Sequence, residues 1–352
     1  MAVHQLLSAF ADGSVLMTSE NMKQSTEAMA RNLQHRGVPI EYSDECVIKI
    51  DRFNDTEACA DIQMNVRDKA VILCWDFMYG KKFGSISQRF TELLFALSAL
   101  KTAQVGRVIL FLPYLPFSRQ DRTMGRQSFT AKMVAEMLEA SGVVHGLITF
   151  DLHAPQIAGF YNNIHVQNIP AHVIFAPFFR KMFEKEIAAK VLRTLATDVG
   201  GSKRTRDFAE HVSPGLDISI IDKRRVKGQA EAMKIVGDVS PCMIAYDDIA
   251  GTLDSLIGAG RLAMSEGAQT VVAAIAHNVC CPKNGTTAEA KAKKGGMKIY
   301  TLDTLPRGDS YYKRNKEFVR VPYEGFIADV FLQFMTVDGS VKQATKNWLA
   351  DN

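Results

Sequence analysis

Short apolar runs alternate with amphipathic stretches along most of the chain. The runs at Ala70–Trp75, Val108–Leu112, Leu147–Phe150, Ile218–Ile221, Met243–Tyr246, Val271–Ile275 and Lys298–Thr301 predict strands. Between them, Ser87–Ala103 places Phe90, Leu93, Leu94, Leu97 and Leu100 on one helical face. Phe129–Ala140 does the same with Met133, Val134, Met137 and Leu138 and stops at Gly142. Such alternation predicts an α/β architecture with largely parallel sheets. Amphipathic helices are also expected over Met22–Arg36 and, as a docking helix, Lys342–Leu349. The stretch Pro282–Gly296, rich in Lys, Ala, Gly and Thr, reads as a flexible solvated loop. Trp75, Tyr114 and Phe117 are expected to pack in the core.

Composition narrows the class. The 352 residues leave room for two ordinary domains, and 47% hydrophobic with 23% charged residues describes a soluble globular protein. A formal charge of +4 is too small to argue for a nucleic-acid partner. The six cysteines form no CxxC pair, so reduced thiols in a cytoplasmic setting are expected. The start of the chain has no basic segment before an apolar run. No window reaches the ~18 apolar residues of a spanning helix, so neither export nor a membrane partner is expected.

The polar residues collect after the predicted strands. Val108–Leu112 leads to Arg119-Gln120-Asp121-Arg122, and Leu147–Phe150 to Asp151-Leu152-His153. Ile218–Ile221 leads to Asp222-Lys223-Arg224-Arg225, and Met243–Tyr246 to the paired acids Asp247-Asp248. Ligands of open α/β sheets bind beyond the carboxyl ends of the strands. Acids, a histidine and several bases gathered there suit a metal–polyphosphate ligand, with acids and His holding hydrated Mg²⁺ and the bases spreading phosphate charge. Any single cluster is equally compatible with an ordinary solvated loop.

Taken in order, these segments resemble ribose-phosphate pyrophosphokinase (phosphoribosyl pyrophosphate synthetase) over roughly residues 45–340. Arg52-Phe53-Asn54-Asp55-Thr56-Glu57 resembles the family's RFSDGE loop, and Asn65-Val66-Arg67 its NVR. Pro113-Tyr114 through Arg119-Gln120-Asp121-Arg122 resembles PYxxYxRQDR, and Asp151–Phe160 resembles DLHAxQIQGFF. Asp198-Val199-Gly200-Gly201 resembles the DxGG loop, and Ile221-Asp222-Lys223-Arg224-Arg225 the start of the catalytic loop.

The resemblance implies two tandem phosphoribosyltransferase-like domains, each a mainly parallel sheet flanked by helices, usually assembled into a hexamer. On this sequence the division is expected at 1–163 and 164–340, with 341–352 as the docking helix. The implied reaction moves the β,γ-diphosphoryl group of ATP to the anomeric hydroxyl of a ribose 5-phosphoryl acceptor and releases AMP. Phe53, Asp55 and Glu57 would contact ATP, in the family across a subunit boundary, with Arg119, Gln120 and Arg122 holding adenine and phosphates. His153 and Asp198 would serve Mg²⁺, and Lys223 and Arg225, with His153, would be catalytic. Phe53 read alone could equally be a core aromatic, His153 a core histidine, and Lys223-Arg224-Arg225 a solvated turn.

One stretch departs from the family. Its pentose-phosphate loop reads approximately DDxxDTGGT, where this chain has Asp247-Asp248-Ile249-Ala250-Gly251-Thr252-Leu253-Asp254-Ser255. The acids that grip a ribose diol remain, while the glycines that let backbone amides approach a phosphate become Leu253 and Asp254. An alternative alignment deletes three loop residues and needs a compensating insertion. A carboxylate at 254 would repel a phosphate dianion. The expectation is therefore an acceptor, contacted by Asp247, Asp248, Gly251, Thr252, Leu253, Asp254 and Ser255, whose 5-phosphate is substituted, as in ADP-ribose. An ordinary ribose 5-phosphate acceptor and a non-catalytic regulatory subunit are the alternatives.

Overall fold

The computed structural model describes residues 13–80, 84–123, 125–226, 229–335 and 340–351, with backbone alone at 224–226, 229–232 and 335. It forms two compact units. The first runs through Ile169 and regains Tyr323–Trp348; the second holds Pro170–Pro322 and the last residues from Leu349.

The first unit's strands are β1 (Ser14–Ser19), β2 (Ile40–Glu41), β3 (Val47–Arg52), β4 (Ala58–Asp61), β5 (Ala70–Cys74), β6 (Arg107–Phe111), β7 (Val144–Phe150) and β8 (His165–Ile169). They lie in the order β4-β3-β1-β5-β6-β7-β8, with β2 on β1, all parallel except the β3–β4 hairpin. β1 and β5 are buried along their whole length, as expected of central parallel strands covered on both faces. The helix Ile86–Thr102 starts at Ser85, whose hydroxyl accepts from the Gln88 N–H at 3.1 Å, and buries Phe90, Leu93, Leu97 and Leu100. The helix Thr130–Ala140 ends before Gly142, which takes φ +72°. β8 pairs in parallel with β7, so this sheet continues past the expected division at 163.

The helix Glu324–Met335 belongs to the first unit, where Asp329 meets Arg36 at 2.9 Å. The expected docking helix forms over Val341–Asp351 and sets Trp348 against Phe326, ring centroids 5.5 Å apart.

The second unit's strands are β9 (Leu192–Ala196), β10 (Ile218–Val226), β11 (Gln229–Val236), β12 (Cys242–Ala250), β13 (Thr270–Asn278), β14 (Lys298–Thr301) and β15 (Phe318–Arg320). Their order is β11-β10-β9-β12-β13-β14-β15, parallel except for the β10–β11 hairpin. Among the described residues no helix is long and apolar enough to cross a membrane.

Two expectations are corrected. The flexible loop at Pro282–Gly296 contains the helix Ala288–Gly295, with the Thr287 hydroxyl accepting from the Ala290 N–H and Gly296 closing it at φ +67°. Asp247 and Asp248 lie within β12, which pairs with β13 as far as Ala250 and Asn278.

Burial of His172 has a consequence for stability. Burial, with a smaller push from His211 at 4.5 Å between rings, holds His172 down at about 4. An unfolded histidine takes up its proton near pH 6.5, so the unfolded state binds more protons below that pH. This contribution is therefore whole above pH ~6.5 and lost as pH falls through ~4, roughly 3 kcal/mol in all. Denaturant titrations from pH 7 to 4 are expected to show a shallower decline for His172→Gln than for the parent chain. Parallel declines would refute this.

Candidate functional site

In the first unit, β3 and β4 form a hairpin in which Arg52 faces Ala58. The turn is closed by the Phe53 N–H donating to the Glu57 carbonyl at 2.8 Å and the Glu57 N–H donating to Asp55 Oδ1 at 3.1 Å, with Thr56 at φ +76°. Phe53 is 61% exposed at this tip, which removes the core reading of that aromatic. Asp55 and Glu57 are exposed beside it.

The base of the hairpin is anchored in a buried ionic network. Arg52 pairs with Glu92, whose other oxygen meets Arg89 Nη1 at 2.6 Å. Arg89 Nη2 reaches Asp76 at 2.9 Å, and Asp76 also accepts from the Ser19 hydroxyl at 2.6 Å and the Met78 N–H at 2.8 Å. The network edges a cleft of ≈ 620 Å³ lined by Ser19, Asn21, Asp51, Arg52, Arg89 and Glu92, among others.

Beyond β6, the chain turns at Phe117, φ +64°, with the Gln120 N–H donating to the Phe117 carbonyl at 3.1 Å. Arg119, Gln120 and Arg122 are exposed. Gln156 bonds Asp121 at 2.8 Å and ties this turn to the segment after β7. In that segment Asp151 and Leu152 are buried and His153 is exposed, so His153 is not a core histidine.

The second unit carries the residues expected on the sugar side. Lys223 is half-buried in β10, opposite Met233 of β11, so the expected catalytic loop begins as a paired hairpin. Arg225 lies in β10 as well, and its side chain falls outside the described residues.

Asp198 follows β9, is exposed, and accepts the Gly201 N–H on Oδ1 at 2.8 Å. Its second oxygen lies outside that bond. Taken singly, the exposed Asp198 carboxylate and, in the first unit, the exposed His153 imidazole are each donor types open to an ion such as Mg²⁺ that keeps most of its own waters.

The paired acids divide in role. Asp248 is buried and bound to Arg204 Nη1 at 2.9 Å. Asp247 is more open and accepts from the Thr197 hydroxyl. Burial, then the adjacent Asp248 carboxylate, push Asp247 well above the usual carboxylate range.

The divergent loop is held by packing, hydrogen bonds and ion pairs. Leu253 sits at φ +62°, the left-handed conformation a glycine adopts freely, at a cost of about 1–2 kcal/mol. Its side chain is buried among Leu256, Ile257 and their neighbours, which stabilises by a comparable ~1.5–3 kcal/mol. Burial thus offsets the strain, and the turn is kept without the glycine. Thr252 donates its hydroxyl to Asp254 Oδ2 at 3.1 Å, and Ser255 is half-buried in the first turn of the helix Asp254–Ser265. The carbonyls of Ala250 and Gly251 accept from the N–H groups of Cys280 and Cys281 at 2.9 and 2.8 Å.

Asp254 is clamped. Lys291 Nζ meets its Oδ1 at 2.6 Å and Lys283 Nζ its Oδ2 at 2.9 Å, while Lys291 also reaches the Thr252 carbonyl at 3.2 Å. The two lysines hold the Asp254 carboxyl down at about 2. Neither lysine, nor Arg204 and Thr197, is among the sequence-predicted site residues. Lys283 and Lys291 lie 29 and 37 residues from Asp254, a separation that no periodicity marks. The Thr287 cap, the alanines and Gly296 are a helix signature in sequence that points at least to an ordered segment.

Residues 15–142 match the family model for the N-terminal domain of ribose phosphate pyrophosphokinase. The chain is 36% identical over 262 residues to the ribose-phosphate pyrophosphokinase of Burkholderia pseudomallei, covering 73% of this chain and 77% of that one. It is 33% identical over 304 residues to that of Ralstonia nicotianae, covering 85% and 88%. The crystal structure of phosphoribosylpyrophosphate synthetase from Mycobacterium smegmatis superposes with a TM-score of 0.77 at 21% identity, covering 91% of this chain and 98% of that one, and shares the fold.

Proposed function

The chain belongs to the ribose-phosphate pyrophosphokinase family, and we propose that it transfers the β,γ-diphosphoryl group of ATP to the anomeric hydroxyl of ribose 5-phosphate, releasing AMP. The observation that carries the choice of acceptor is the clamp on Asp254. A lone carboxylate in the loop would repel a phosphate monoester. Two ammonium groups against one carboxylate leave this loop with one net positive charge, and the ground for expecting a 5′-substituted acceptor such as ADP-ribose falls away.

Within this reading Phe53, Asp55 and Glu57 on the hairpin and Arg119, Gln120 and Arg122 on the turn hold ATP. The exposure of Phe53 at a hairpin tip suits contact with a nucleotide bound by a second copy, in keeping with a self-associating enzyme. Asp247 engages the sugar hydroxyls, with Asp248 and Arg204 fixing its position. Lys223 and Arg225 supply positive charge to the transferring group, whose attack places negative charge on the equatorial oxygens. His153 and Asp198 would hold Mg²⁺, which when bound neutralises polyphosphate charge.

Phe53→Ala is expected to raise the KM for ATP about tenfold by loss of ring stacking, with the acceptor KM and the melting temperature unchanged because the ring is exposed. A lowered melting temperature with an unaltered KM would assign the ring a packing role instead. The acceptor itself is tested by AMP release from the purified chain with ribose 5-phosphate and with ADP-ribose. Turnover of ribose 5-phosphate supports the reading, and turnover of ADP-ribose alone overturns it.

A further inference from the structure

We propose that Lys283 and Lys291 are the side chains that bind the acceptor's 5-phosphoryl group, and that Asp254 is an internal counter-ion which this group displaces. The proposal rests on ribose 5-phosphate being the acceptor. A phosphate cradle built from backbone amides needs side-chain-free positions around the helix N-terminus. Here Leu253 and Asp254 occupy two of them, so the chain needs another source of positive charge at that place. The described structure supplies it from a different segment: two ammonium groups converge on the first residue of the helix Asp254–Ser265, directly after the strand that carries Asp247 and Asp248.

The geometry suits exchange of one anion for another. Lys291 is the fixed member, its side chain 18% exposed and bonded to both Asp254 and the Thr252 carbonyl. Lys283 is the open member at 55% exposed, and Asp254 is 43% exposed. The Lys283–Asp254 pair is exposed, and exposed ion pairs are weak, so replacing Asp254 as the partner of Lys283 costs little. A phosphate monoester brings more charge and three terminal oxygens, enough to engage both ammonium groups at once. The lysine-bearing segment is itself held at a set distance from the loop. Arg307 Nη2 donates to the carbonyls of Asn278 and Val279 at 3.0 and 2.8 Å, and the Cys280 and Cys281 N–H groups bond the loop backbone.

The test uses the full chain with Lys283→Met, Lys291→Met and Asp254→Asn, the methionines keeping most of the apolar stem. Each lysine variant is expected to raise the KM for ribose 5-phosphate about tenfold, and the pair roughly a hundredfold, as charge-assisted bonds are lost. The KM for ATP is expected to stay where it is. Asp254→Asn removes the competing anion and is expected to lower the acceptor KM a few-fold. A merely structural clamp would instead raise it.

A second readout needs no turnover. Ribose 5-phosphate is expected to shield both lysines from an amine-acylating reagent, as read by peptide mass spectrometry. Unchanged acceptor KM values in the lysine variants, or lysines that acylate equally with and without ribose 5-phosphate, would overturn the proposal. If ADP-ribose is consumed and ribose 5-phosphate is not, the acceptor assignment has failed. If ribose 5-phosphate is consumed while both lysines stay unshielded, the lysine assignment has failed.

Discussion

Replacing Lys223 with alanine is expected to lower the rate of AMP release about a thousandfold at saturating ATP. Transfer of a diphosphoryl group asks little covalent chemistry of the protein. It asks for alignment and for positive charge where negative charge develops. Lys223 offers a compact ammonium on a hairpin whose backbone is held by the β10–β11 ladder, Lys223 facing Met233 and Asp222 facing Lys234. That ladder is made of main-chain bonds, so alanine at 223 leaves the hairpin paired and the melting temperature unchanged. AMP formation measured for the two proteins side by side checks this. A fall of less than tenfold would move the essential charge elsewhere, and loss of the fold would make Lys223 structural.

The largest effect on stability is expected at Arg89. Its guanidinium joins Asp76 and Glu92, whose side chains are 0% and 2% exposed. It also stacks on Trp75, 5.0 Å from the ring centroid. Arg89→Ala leaves two buried carboxylates with too little positive charge, a change that costs about 3–5 kcal/mol. For a unit of this size that corresponds to a fall in melting temperature of roughly 10 °C. The variant is also expected to weaken ATP binding, because Glu92 is the anchor of Arg52 at the foot of the Phe53 hairpin. Combining Arg89→Met with Asp76→Asn and Glu92→Gln is expected to recover most of the stability, since the penalty comes from unpaired charge more than from the missing contacts. A melting temperature within two degrees of the parent's for Arg89→Ala would contradict this view of the network.

Several central strands, though not β1, were legible in sequence for a physical reason. β5, β6, β12 and β13 are covered on both faces, so they read as unbroken apolar runs. The edges were not. β3 and β4 carry Lys49, Asp51 and Asp61, and their burial is partial, because an edge hairpin needs no apolar face on its solvent side. β9 is fully central yet carries Arg193, which interrupts its apolar run. β10 reads as ending at Ile221 because Asp222-Lys223-Arg224-Arg225 is charged, whereas its antiparallel pairing with β11 holds those residues in a strand.

The helix Ala288–Gly295 is faint in sequence because the side chains it buries are Ala288 and Ala292, which leave no hydrophobic stripe. Of the candidate site, ordered motifs point to Phe53, Arg119, His153, Asp198, Lys223 and Asp247. Folding alone brought Lys283 and Lys291 to Asp254. Read one residue at a time, Asp254 looks like an obstacle to a phosphate; with its two partners it marks where positive charge accumulates.

ATP labelled at its β-phosphorus, incubated with the purified chain and ribose 5-phosphate, separates the possible fates of the diphosphoryl group. The label is expected on a sugar carrying a diphosphate at C1, with unlabelled AMP as the other product. Label recovered in ADP, or in free inorganic diphosphate with the sugar unchanged, would contradict diphosphoryl transfer to ribose 5-phosphate by this protein.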